Sequence, residues 1–164
     1  MSDDIYAAPK ASLELADGTE ELASRWARLG ASIIDTLILL VVVIPLQWAS
    51  GVFDYVMRGE QPPMLYSIGF LLLGLVVFAL LHGKFLLSDG QTIGKKVLSI
   101  KIVDTAGQVP VLPTYLKRYG VYFLPGNIPI IGGILSLINI LFIFGEKRTC
   151  VHDIVAGTRV VVAR

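Results

Sequence analysis

Two apolar runs set the terms on which this 164-residue chain can fold. The first extends from about Trp26 to Trp48, and its centre, residues 33–44, holds a single charge, Asp35. The second extends from Met64 to Leu87, and residues 68–81 hold no charge. A helix of about 20 apolar residues crosses the roughly 30 Å hydrocarbon layer of a bilayer. A run that is apolar on every face has no place in water, and two in succession leave little else in a short chain to bury them. Trp26 and Trp48 stand where an interfacial aromatic belt would place them, and Pro45 predicts a kink near the far end. Helices over about 26–48 and 64–87 are therefore read as spans, with the lipid bilayer as their partner.

A third apolar region, Tyr119 to Phe144, is interrupted by Pro125-Gly126-Asn127-Ile128-Pro129, a combination that ends a helix. It divides into an amphipathic helix over 113–124, carrying Lys117 and Arg118, and a second helix over 129–145. Charge placement favours that division. With the N-terminus inside, the Gly51–Pro63 loop with its lone base, Arg58, lies outside, and Lys84, Lys95, Lys96, Lys101, Lys117 and Arg118 lie inside. One uninterrupted crossing would export Lys147, Arg148, Arg159 and Arg164. Two short crossings or a re-entrant hairpin keep twelve of the thirteen bases after residue 24 on one side. The expected architecture is an all-α membrane protein of three to four transmembrane or re-entrant helices, multi-pass in the bacterial inner (cytoplasmic) membrane, with both termini cytoplasmic.

A small β element accompanies the helices. Leu98, Ile100 and Ile102 alternate with Ser99 and Lys101, the period of a strand. Thr105-Ala106-Gly107-Gln108 supplies a turn, and Val109-Pro110-Val111 suits a short edge strand within the 96–111 segment. Residues 157–163 are also rich in branched side chains. Two lone strands would leave open edges, so the strands near 97–104 and 158–163 are expected to pair in a cytoplasmic sheet.

Residues 1–24 hold six acids and one base, and the rest of the chain holds seven acids and thirteen bases. An acidic start interrupted by Pro9 and Gly18 is no secretory signal. Residues 1–21 read as a flexible tail, with a helical turn capped by Thr19, and residues 22–164 as the membrane domain. With 54% hydrophobic and 16% charged residues, the chain fits neither a disordered protein nor a nucleic-acid binder. One cysteine, Cys150, and two histidines, His82 and His152, supply too few ligands for the usual zinc sites, so no metal and no cofactor are expected. Gly90-Gln91-Thr92-Ile93-Gly94-Lys95-Lys96 has three residues between its glycines instead of four, and no Ser or Thr after the first lysine. It is read as a turn entering a strand, not a phosphate-binding loop. No catalytic constellation is visible, and an enzyme is not expected.

The informative residues are the charges set in apolar sequence. A carboxylate near the middle of a membrane helix costs about 2.5–3.5 kcal/mol on insertion scales and therefore has a partner in the protein. Arg28, Ser32 and Asp35 recur at steps of four and three residues and share one helix face. Arg28 and Asp35 are about 10 Å apart along the axis, too far for a direct pair. Asp35 is expected to meet Arg118, Lys117 or Asn139, and Arg28 to meet Asp153 or Asp89. Either Asp35 binds a proton or cation, or Arg28, Asp35 and Asp153 form a structural network.

These residues resemble the RDD family of bacterial integral membrane proteins, named for one arginine and two aspartates. The resemblance rests on Arg25-Trp26-Ala27-Arg28-Leu29-Gly30-Ala31-Ser32-Ile33-Ile34-Asp35, on the 90–104 segment followed by Arg118, and on Val151-His152-Asp153-Ile154-Val155-Ala156-Gly157-Thr158. It implies Arg28 and Asp35 as signature residues, with Asp153 the second aspartate, and it implies transport, with cation/proton antiport as one form. The expected function is a transporter of cations or small solutes, a homodimer coupled to a proton or monovalent cation through Asp35. Arg28 and Asp153 join Asp35 as coupling residues, with Ser32, Ser136, Arg118 and Asn139 as polar support. The alternative is a non-transporting assembly or accessory protein whose basic cytoplasmic face binds a partner or anionic lipid.

Overall fold

A computed structural model describes residues 20–124, 132–145 and 149–163. The elements in chain order are α1 (Arg25–Ala49), α2 (Val52–Met57), α3 (Met64–Asp89), α4 (Ile93–Val97), β1 (Ile100–Asp104), α5 (Leu112–Phe123), α6 (Gly132–Leu141), a 3-10 turn at Phe142–Phe144, α7 (Val151–Ala156) and β2 (Thr158–Val162). The Pro125–Pro129 interruption, Thr19, and Lys147 and Arg148 lie outside the described residues.

α1 and α3 are long and apolar enough to cross a membrane, at 25 and 26 residues. Their most apolar stretches are only 11% and 6% buried within the chain, so they are not the core helices of a water-soluble fold. The two run antiparallel. Tyr66 near the start of α3 donates a 3.4 Å hydrogen bond to the Ser50 carbonyl at the end of α1, and His82 near the end of α3 lies beside Asp35. The connection between them is not a bare loop. It contains α2, entered through Gly51 in the left-handed conformation at φ 77°.

Beyond those shared ends sits the small polar module. β1 and β2 pair antiparallel, Ile100 opposite Val162 and Asp104 opposite Thr158, with Ile100, Ile102, Val103, Val160 and Val161 buried. The chain entering α1 adds to the sheet edge. The Ala23 amide donates to the Val160 carbonyl at 3.0 Å, and the Val162 amide to the Glu21 carbonyl at 2.9 Å. Glu20 and Glu21, assigned by charge to the tail, are thus tied to the sheet, Glu20 also meeting Arg159 at 3.4 Å and Lys101 at 3.8 Å. Ser24 caps α1, accepting the Ala27 amide at 3.1 Å. No helical turn forms at 20–22.

The strand expected near 97–104 starts only at Ile100. Thr92 caps a short helix by accepting the Lys95 amide at 3.3 Å, which draws Lys95, Lys96 and Val97 into α4. The return strand at 109–111 is also absent: Asp104 accepts the amides of Ala106 and Gln108 in a tight turn, and the chain passes directly into α5. Leu86, Ile100, Ile102, Tyr115 and Val160 form the core of the module together with Ala23 and Ala31 of the α1 entry. The Tyr115 hydroxyl donates to the Leu86 carbonyl at 2.8 Å, fastening α5 to α3.

Candidate functional site

Arg28, three residues past the start of α1, and Arg118, on the buried face of amphipathic α5, both reach one carboxylate. The Arg28 guanidinium donates to Asp153 Oδ2, and the Arg118 guanidinium to Asp153 Oδ1. Asp153 is itself placed by α7: it is the third residue of that helix and accepts the Cys150 amide at 2.9 Å, closing a capping box. Arg118 also donates to the Thr158 hydroxyl at 2.5 Å, at the start of β2, and Arg28 to Cys150 Sγ at 3.6 Å. Asp153 is completely buried. Burial alone would push its carboxyl up, yet Arg118 and Arg28 together hold it well below the ordinary carboxylate range.

His152, next to that carboxylate, is pushed down to about 3, by burial first and then by Arg118, so it is neutral. Its Nδ1 and its backbone amide both meet Asn139 Oδ1, at 3.1 and 3.4 Å. Asn139 therefore serves α7, and Asp35 is not its partner. Burial also raises the Cys150 thiol, against the opposing effect of Arg28. Ligand atoms of Cys150, His152 and Asp153 lie within 4.8 Å of one another. Two guanidiniums already occupy the carboxylate, so this donor set suits a metal cation poorly.

Asp35 belongs to a second cluster. Its Oδ2 accepts the Thr92 hydroxyl at 2.5 Å and its Oδ1 accepts the Gly94 amide at 2.7 Å. Lys95 Nζ and His82 Nε2 each stand 3.9 Å from it, outside hydrogen-bond range. The partners expected from sequence are corrected: neither Arg118 nor Lys117 pairs with Asp35, and Lys117 is exposed. Asp89, the other acid considered for Arg28, pairs with Lys96 at 3.3 Å instead. A Cβ on Gly94 would collide with the Ala31 carbonyl and lie 2.9 Å from Asp35 Oδ1, so α4 reaches α1 only because residue 94 is glycine. His82 accepts the Ile93 amide through Nδ1 at 3.2 Å, which leaves the ring proton on Nε2, facing Asp35 without a hydrogen-bond partner among the described residues.

Between the clusters lies a cavity of about 90 Å³. Arg28, Ser32 and Asp35 line it along one face of α1, as their spacing predicts, and Lys95, Arg118 and Tyr119 line it from α4 and α5. Asn139 and Ser136 do not. Lys95 is buried here, and its ammonium is pushed down to about 8, by burial first and then by Arg118, against the pull of Asp35. The contributions of Thr92, Gly94, Lys95, His82 and Tyr119 were not anticipated from sequence. Only the capping pattern Thr92-Ile93-Gly94-Lys95 announces any of them locally.

A buried arginine–aspartate pair and a second aspartate in a neighbouring cluster, set where apolar helices join a small polar module, define the class. The RDD family model matches residues 22–157, and the chain belongs to the RDD family, a family of membrane proteins. It is 31% identical to the uncharacterized protein YxaI of Bacillus subtilis (strain 168), over 87% of this chain and 98% of that one. It is 29% identical to the uncharacterized protein YckC of the same organism, over 86% of this chain and 85% of that one. No solved structure matches the chain.

Proposed function

We propose that this protein transports a small ion or solute across the bacterial inner membrane, exchanging a proton or monovalent cation at Asp35. The observation that carries this reading is the unequal treatment of the two aspartates. Asp153 is gripped by two guanidiniums and buried, a structural tie that no mobile ion can displace cheaply. Asp35 faces a polar cavity, is held by one hydroxyl and one amide, and has a lysine 3.9 Å away, close enough to bias its charge without occupying it. Arg28, Arg118 and Asp153 thus frame the site, with Ser32 on its wall.

The membrane arrangement in this reading has both termini cytoplasmic, α1 and α3 as full crossings, and two short crossings or a re-entrant hairpin between residues 113 and 145. Bases then concentrate on the cytoplasmic side. A homodimer completes the polar path, since so few helices enclose little on their own. The protein is read as a non-enzyme without a cofactor.

Purified protein in sealed vesicles, with a pH-sensitive dye inside, tests the proposal. Wild type should move protons when sodium or potassium gradients are imposed. Asp35→Asn should abolish that flux while leaving the protein inserted and monodisperse. Equal flux from the variant defeats the reading. A second reading, a membrane assembly protein with a basic cytoplasmic face, draws on the exposed Lys84, Lys96 and Lys117 of α3, α4 and α5. Absence of flux from wild type, with a stoichiometric partner retained in detergent, would favour it.

A further inference from the structure

Asp35 and Lys95 meet through one hydroxyl. Lys95 Nζ stands 3.9 Å from Asp35 Oδ2, too far for a direct hydrogen bond. Thr92 Oγ1 closes that gap from both sides. It donates to Asp35 Oδ2 at 2.5 Å and accepts from Lys95 Nζ at 3.4 Å. Its other lone pair takes the Lys95 amide at 3.3 Å, as the cap of α4. One donor and two acceptor positions are all that a hydroxyl has, so Thr92 is fully committed to this pair and to its own helix. Thr92 is 1% exposed and Lys95 9%, so bulk water has little access to either. Among the described residues, Thr92 is the only side chain within hydrogen-bond range of both.

We propose that the Thr92 hydroxyl relays a proton between Asp35 and Lys95, making Lys95 the store that charges and discharges the Asp35 carboxyl group. Discharge starts with Asp35 as the acid and Lys95 as the free amine, Asp35 donating to Thr92 Oγ1 and Thr92 donating to Nζ. The Thr92 O–H bond breaks as its proton joins the Nζ lone pair. The Asp35 O–H bond breaks as its proton takes the vacated place on Oγ1. The products are a carboxylate, an intact hydroxyl and an ammonium, with each hydrogen bond in the direction the structure shows. Carboxylic acids give protons to free amines, which sets the direction of discharge. The step moves a proton within the pair, so it asks nothing of the charges elsewhere in the site.

The setting of Lys95 supports this role. Its ammonium is pushed down to about 8, by burial first and then by Arg118 of α5. Arg28 of α1 adds to that, while Asp35 of α1 and Asp153 of α7 oppose it. His82 of α3 faces the same pair, its Nε2 3.9 Å from Asp35. At the ordinary value of 10.5 a lysine would keep its proton throughout the neutral range. The relay rests on reading Asp35 as an exchanging carboxylate, and it names the proton as the species exchanged.

The test uses the full chain in detergent, without vesicles. Acid-equilibrated protein is jumped to a series of higher pH values, and loss of the protonated Asp35 carboxyl is followed by time-resolved infrared absorption. Asp35→Asn assigns the band by removing it. The wild-type rate should rise with final pH and level off above about pH 8, as Lys95 becomes the free amine. Direct loss to hydroxide would keep climbing. Thr92→Asn retains a capping oxygen and an N–H for Asp35, but its amide does not pass a proton onward. It should slow the loss about a hundredfold, within the range that a positioned proton-transfer group contributes. Thr92→Ser should keep the wild-type rate. Lys95→Arg keeps the positive charge but not the exchangeable proton, and should remove the plateau. If Thr92→Asn does not fold, the wild-type pH profile and Lys95→Arg decide. A wild-type profile in Thr92→Asn or Lys95→Arg, a wild-type rate without a plateau, or no band lost in Asp35→Asn overturns the relay. Vesicle flux is measured separately. Wild type without flux but with this profile ends the transport reading and leaves the relay standing, and flux beside a failed profile does the reverse.

Discussion

Arg28 and Asp153 lie 125 residues apart in the chain and form a buried ion pair, joining the first helix to the last. Arg118 takes the opposite oxygen of the same carboxylate, so one acid closes α1, α5 and α7 into a single unit.

Asp153→Asn should therefore be among the most damaging single changes to stability. It leaves two buried guanidiniums facing a neutral amide, and breaking a buried pair in this way costs about 3–5 kcal/mol. Thermal unfolding in detergent checks it. The Asp35→Asn variant offers the comparison, since the amide there still accepts the Thr92 hydroxyl or the Gly94 amide. A smaller loss at position 153 than at position 35 would mean that the double-arginine clamp is not the principal tie.

Acid should loosen the same unit through His152. Its folded value is about 3, against an ordinary value of 6.5. Between those values the unfolded chain takes up a proton that the folded chain refuses, so stability falls as pH falls through that window. Asp153 adds a further loss only below its ordinary value of 3.8. Tm measured from pH 7 down to pH 4 should decline, and His152→Gln should flatten the slope. Parallel declines in both proteins would assign the acid sensitivity elsewhere.

Gly94→Ala places a methyl group against the Ala31 carbonyl and beside Asp35 Oδ1. α4 must back away from α1, at a cost of about 1–3 kcal/mol for an overpacked contact. Gly83→Ala in α3, where an added Cβ meets nothing within 4 Å, is the control and should unfold at or above the wild-type temperature. If both variants unfold alike, the close approach of α4 is not what residue 94 secures.

The long helices and the sheet could be read from the residues because each advertises itself by a period: unbroken apolarity in α1 and α3, and alternation in β1 and β2. The shared face of Arg28, Ser32 and Asp35 follows from helical geometry alone. The pairing of Arg28 with Asp153 rested on electrostatic need. The start of β1 was misplaced because Lys96-Val97-Leu98 carries strand-forming residues while Thr92, four positions upstream, caps a helix that takes Lys95, Lys96 and Val97 first. The neighbours of Asp35 were hidden for a different reason. Asp35 finds a hydroxyl and a backbone amide across gaps of 57 and 59 residues, and a glycine amide carries no chemical signature in the sequence. Tyr119 was hidden in the same way, as one aromatic among several on α5.

The tie between Arg28 and Asp153 also fixes an order of events during synthesis. α1 leaves the ribosome long before the residues that neutralise its charges exist. At about 5–20 residues per second, Asp153 follows Arg28 by roughly 6–25 seconds. Throughout that interval the insertion machinery must shelter a helix whose Arg28 still lacks the Asp153 carboxylate, while Asp35 waits only until Thr92 and Gly94 are made. The fold closes late, when β2, the last of the described elements to be made, pairs with β1 and with the entrance to α1 and latches them together.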